Sequence, residues 1–84
     1  MGEIGAMVYT YDAATDVLYV LLVDETDPAI DRTEEIGPNL HVDLDAQGGV
    51  VGVEFLYPRA NGIDAGPVKA RYGIDLQIPF NFAA

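Results

Sequence analysis

Eighty-four residues weighing 9.0 kDa, half of them hydrophobic and 21% charged, suit one small globular domain with a modest core and leave no room for a second. The absence of Cys, Ser and Trp excludes disulfides, thiolate metal sites, and serine or cysteine nucleophiles. No apolar run reaches membrane-spanning length and no basic-then-apolar leader is present, which points to the cytoplasm. Four basic against fourteen acidic side chains, net −10 with a pI near 4.1, oppose nucleic acid and anionic membranes and leave a basic protein as the matched partner.

Residues 1–6 show no periodicity and read as a flexible leader or an expression remnant ahead of a single β-rich domain over 7–84. Met7 to Tyr11 is apolar, β-branched or aromatic, and Asp12-Ala13-Ala14-Thr15-Asp16 breaks it with turn formers. Val17 to Val23 is a continuous apolar run between acids, short for a helix and suited to an interior strand. The two runs predict a hairpin. Asp24 to Asp31, with its acids and Pro28, predicts a loop, and the polar Arg32–Ile36 stretch an edge strand closed by Gly37-Pro38-Asn39.

Leu40 to Asp45 alternates strictly: Leu40, Val42 and Leu44 turn inward while His41, Asp43 and Asp45 turn to water. Ala46-Gln47-Gly48-Gly49 is a turn, and Val50 to Leu56 returns as a strand that Pro58 ends. Asn61-Gly62 and Gly66-Pro67 signal further turns. Pro67 at a first helical position, Lys69 and Arg71 near the end and Gly73 just beyond predict a helix of about two turns. Ile74, Leu76, Ile78, Phe80 and Phe82 then alternate with Asp75, Gln77, Pro79 and Asn81, predicting a last strand that Pro79 confines to an edge. The expected fold is therefore α+β: a small antiparallel β-meander of five to six strands with one short helix near the C-terminus.

Tyr11-Asp12, Asp16-Val17-Leu18-Tyr19-Val20, Arg32-Thr33-Glu34-Glu35-Ile36, and Asn39 through Asp45 to Gly52-Val53-Glu54-Phe55-Leu56 resemble, in that order and spacing, the domain-of-unknown-function 2283 family of small prokaryotic proteins. The resemblance covers about residues 9–56. It implies no established activity and no assigned catalytic residues; members are suspected, from gene neighbourhood, of acting as the antitoxin half of toxin–antitoxin pairs. Residues 57–84 lie beyond the shared part.

Asp43-x-Asp45-x-Gln47-Gly48-x₅-Glu54 follows the calcium-loop pattern except at its fifth position. A calcium loop lies between helices, however, and both flanks here have period two, which favours an acidic hairpin turn. Asp24, Glu25, Asp27 and Asp31 offer a second oxygen-rich cluster that reads more simply as a solvated loop. Glu34 and Glu35 are adjacent and point to opposite faces of a strand, so they cannot form a facing carboxylate pair. His41, the one imidazole, shares a face with Asp43 but has no serine or cysteine to activate. Gly48-Gly49-Val50-Val51-Gly52 lacks the Lys-Ser/Thr tail of a phosphate loop, and Tyr9, Tyr11 and Tyr19 lack the interleaved cations of a base-stacking surface.

Charge is uneven along the chain. Residues 1–57 hold twelve acids and one base, whereas residues 58–84 hold two acids and three bases. These features predict a non-enzymatic protein-interaction module without a cofactor, antitoxin-like in binding a basic partner. Burial of Ile74, Leu76, Ile78, Phe80 and Phe82 at a shared interface predicts a homodimer. The rival class is a divalent-cation-binding protein or metal-assisted hydrolase using Asp43, Asp45 and Glu54 or the Asp24–Asp31 loop.

Overall fold

The computed structural model describes residues 7–24 and 28–78. It contains β1 (Val8–Asp12), β2 (Val17–Leu21), β3 (Arg32–Gly37), β4 (Leu40–Leu44), β5 (Val50–Leu56), α1 (Pro58–Asn61) and α2 (Gly66–Tyr72). The five strands form one fully antiparallel sheet in the order β1-β2-β5-β4-β3.

That order corrects the meander. β1–β2 and β3–β4–β5 are hairpin runs, but β2 pairs with β5 rather than β3. The polarity of the strands explains the choice. β2 is apolar on both faces and needs a neighbour on each side. Interior positions exclude solvent, and β3, with Arg32, Glu34 and Glu35, is suited only to an edge. β5 supplies Val53 and Phe55 as the partner.

Each turn has its own local cause. Asp12 Oδ1 accepts the Ala14 amide at 3.0 Å, and Asp16 closes the β1–β2 hairpin in the left-handed region at φ 55°, which Asp tolerates better than most residues. Asp16 also fastens the far end of β5: its carbonyl accepts the Tyr57 amide at 2.7 Å. Its Oδ1 accepts the Tyr11 hydroxyl at 2.7 Å and the Arg59 amide at 3.2 Å. Asn39, at φ 60°, ends the Gly37-Pro38-Asn39 turn, and its carbonyl accepts the Leu56 amide.

One face of the sheet carries the core. Leu18, Val20, Leu40, Val42, Leu44, Val53 and Phe55 join Val68 of α2 and Leu76 beyond it in a single buried cluster. α2 begins at Gly66-Pro67 and ends at Gly73, whose φ of 71° and amide bond to the Lys69 carbonyl form the expected C-terminal cap. α1 is an addition to the expected single helix. Pro58, read as a strand terminator, opens a short helix instead, since its fixed φ suits a first helical position.

Residues 74–78 correct the last strand: they form no ladder. Leu76 is 7% exposed within the core, and Ile74 and Ile78 pack against it. The Tyr9 hydroxyl donates to the Gln77 carbonyl, holding the segment to β1. The alternation is real, but it serves a segment packed on the chain's own core. Phe80 and Phe82 lie outside the described residues, as does the leader over 1–6.

Candidate functional site

The opposite sheet face is left open by the described helices. Strand register arranges it in rows. Thr10, Tyr19, Glu54, His41 and Glu35 run across all five strands, and Val8, Leu21, Gly52, Asp43 and Thr33 run beside them. Asp12, Val17 and Leu56 begin a third row.

The chemistry of this face is organised around Asp43. The Tyr19 hydroxyl donates to its Oδ2 at 2.7 Å and the Thr33 hydroxyl to its Oδ1 at 2.5 Å. Tyr19 reaches Asp43 diagonally across Gly52, where any Cβ would collide with the phenol. Burial, then the bond to Asp43, pushes the Tyr19 pKa well above its ordinary value, so the phenol stays protonated and keeps donating. One residue along β4, His41 Nδ1 lies 3.3 Å from Glu54 Oε1.

The three carboxylates proposed from the calcium-loop pattern are therefore in three separate settings. Asp43 is bound by Tyr19 and Thr33, and Glu54 faces His41. Asp45 caps its own turn, its Oδ1 accepting the Gln47 amide at 2.9 Å and the Gly49 amide at 2.8 Å. Among the described residues no group of three or more His, Asp or Glu converges as a metal would require. Asp24 and Asp31 are described, whereas Glu25 and Asp27 of that loop lie outside the described residues. Ile74, Leu76 and Ile78 are packed on the chain's own core.

Charge is sorted by face. Asp12, Glu35, Asp43 and Glu54 share the open face with His41. Arg59, Lys69 and Arg71 belong to the helices, and Arg32 sits at the sheet rim, its Nε 3.2 Å from Glu34 Oε2. Glu34, on the covered side, also accepts the Tyr72 hydroxyl at 3.1 Å and lies 3.6 Å from Arg71 Nη2. Arg32 first, then Tyr72, holds the Glu34 pKa below its usual range.

The alternation of β4 places His41 and Asp43 on one face, but it gives no sign that Tyr19 reaches Asp43. The overlooked signal was Gly52 inside an otherwise apolar strand, a place where glycine often marks the close approach of another group. Away from this face, a cavity of about 120 Å³ lies beside the β3–β4 turn, lined by Asn39, Leu56, Asn61 and Asp64 among others. It has room for a few waters, and Asp64 Oδ1 there accepts the Gly66 amide at 3.0 Å.

No helix among the described residues is long and apolar enough to cross a membrane. A model of the family described as Protein of unknown function (DUF2283) matches residues 9–57, a span that takes in nearly the whole sheet and stops where α1 begins. No curated protein and no solved structure matches the chain.

Proposed function

The chain belongs to the DUF2283 family of proteins of unknown function, and we propose that this member is a non-enzymatic protein-interaction module whose open sheet face binds a basic protein. The observation that carries this reading is the sorting of charge: four carboxylates stand on one face with no Lys or Arg among them. Val17, Tyr19 and Leu21, half-buried between these acids, supply the apolar and aromatic contact that a charged rim alone does not give. A complementary cationic surface would be drawn in by the field and seated on this strip. An antitoxin-like role, in which the face covers the basic surface of a toxin, is the specific form of this proposal.

The test pairs capture with charge reversal. Glu35→Lys and Glu54→Lys alter the face without touching the core cluster. A genuine partner is retained by the wild-type chain, is released as salt is raised, and is lost by the double variant at equal fold content. A captured protein that binds both forms equally, or whose retention ignores salt, overturns the reading.

A further inference from the structure

We infer that the cavity of about 120 Å³ beside the β3–β4 turn is a binding site for a guanidinium group. The inference does not rest on the basic-partner reading, because the cavity lies away from the open face. Its volume is well below the roughly 300–1,000 Å³ of a pocket that encloses a whole small ligand. It therefore takes one functional group and leaves the rest of the ligand in solvent.

The lining selects that group. Asn39, Asn61 and Asp64 supply its polar side chains, and Leu40, Leu56 and Pro67 supply apolar wall. Asp64 Oδ1 accepts the Gly66 amide at 3.0 Å, which leaves Oδ2 with no protein donor among the described residues. The Asn39 and Asn61 carboxamides likewise have no protein partner there. Lys, Arg and His are missing from the described lining, and Asp64 takes part in none of the ion pairs among the described residues. A carboxylate without a counter-charge repels anions and favours a cation, and the carboxamide oxygens beside it are further flat acceptors. A guanidinium is planar, carries N–H donors around its rim and no acceptor, and is weakly hydrated enough to lie against leucine and proline. An ammonium is a compact, strongly hydrated point charge that gains little from such walls.

The cavity is also fixed before any ligand arrives. Asn39 stands in the left-handed region at φ 60°, and its carbonyl accepts the Leu56 amide at 2.8 Å. Glycine would adopt that backbone more readily, whereas asparagine tolerates it and adds a carboxamide to the lining. The Gly62 amide is bound to the Pro58 carbonyl at 2.7 Å, and Asp64 is anchored by Gly66. Groups already held in place lose little freedom on binding.

Amide NMR of the full chain with N-acetyl-arginine amide as probe tests the site. The probe is expected to shift the amides of Asn39, Gly62 and Gly66 and to saturate in the millimolar range, while N-acetyl-lysine amide leaves them in place. Asp64→Asn keeps an oxygen for the Gly66 amide but removes the charge, and is expected to weaken binding roughly tenfold or more. Asn39→Gly keeps the left-handed backbone without the carboxamide and is expected to weaken binding severalfold; it decides alone should Asp64→Asn fail to fold. Free arginine identifies the source of the group. Equal affinity for the free and blocked forms assigns the site to an arginine side chain of another protein, and tighter binding of the free form assigns it to the amino acid. Equal shifts from the lysine probe, shifts that miss these amides, or undiminished binding by the folded variants overturn the proposal.

Discussion

The Tyr19 ring lies across Gly52, and Gly52 has no side chain because the ring needs its place. A Cβ at residue 52 would collide with the phenol oxygen and come within 2.8 Å of a ring carbon. The pair links three strands: Tyr19 on β2 passes over β5 to reach Asp43 on β4. Gly52→Ala must displace the ring and break its bond to Asp43, which is expected to cost about 2–4 kcal/mol in urea unfolding. In a Tyr19→Ala background the same change should be nearly free, giving a coupling of at least about 1.5 kcal/mol in the double-mutant cycle. Equal costs in the two backgrounds would show that the ring and the glycine are independent.

The same phenol sets an alkaline limit on stability. Burial, with the bond to Asp43 second, raises the Tyr19 pKa in the folded state. A group raised on folding contributes stability that is complete below its unfolded pKa of about 10 and is lost as pH climbs toward the folded value. The free energy of unfolding should therefore fall from about pH 10 upward, and Tyr19→Phe should flatten that fall. Absorbance titration of the phenols checks it. Tyr19 should ionise late, and loss of its late phase in the Phe variant identifies it.

Glu34 governs the acid side in the opposite sense. Arg32, then Tyr72, lowers its folded pKa, so its contribution is present above the ordinary carboxylate value and disappears as pH falls through the lowered one. Glu34→Gln should leave the stability of the protein less sensitive to pH below about 4.5. A pH profile by circular dichroism, run beside the wild type, makes the comparison.

Asp16 is the tie between the first hairpin and the start of α1. Replacing it with Ala removes the acceptor for Tyr11 and Arg59 and leaves a non-glycine residue at φ 55° without compensation. A loss of about 2–3 kcal/mol is expected. Asp16→Asn keeps both an acceptor and tolerance of the left-handed region, and should cost less than about 1 kcal/mol. If Asn proves as harmful as Ala, the negative charge rather than the bond is what matters.

Leu76 tests the path of the chain after α2. Its side chain belongs to the core cluster, and Leu76→Ala should cost about 2–4 kcal/mol through the cavity it leaves. The exposed neighbour Gln77 makes its bond through its carbonyl, so Gln77→Ala should change stability by no more than about 0.5 kcal/mol.

Local signals carried most of the fold. Pro67 and Gly73 bracket α2 as their backbone preferences dictate, Asp12 and Asp16 mark the first turn, and the polar character of β3 places it at an edge. What local signals could not carry was pairing between distant segments. Nothing in β2 itself says that its second neighbour is β5, some thirty residues away, because register and order are decided by which strands can bear burial on both faces. Pro58 misled for a related reason: the same ring that ends a ladder also starts a helix. The alternation of Ile74, Leu76 and Ile78 identifies an apolar stripe, and a segment packed on a core satisfies that stripe as fully as a strand does. At the open face, Asp43 and His41 were evident from alternation, whereas the diagonal reach of Tyr19 depends on strand order and so was not.

Four carboxylates on the sheet's bare side, with Arg59, Lys69 and Arg71 on the helices, make that side the more negative of the two. Such a body is turned by a charged neighbour before contact. Its first meeting with a cationic surface is then biased toward the side that displays Tyr19, Asp43 and Glu54, and its first meeting with an anionic one toward the helices. Orientation is thus selected during approach, ahead of any fit between shapes.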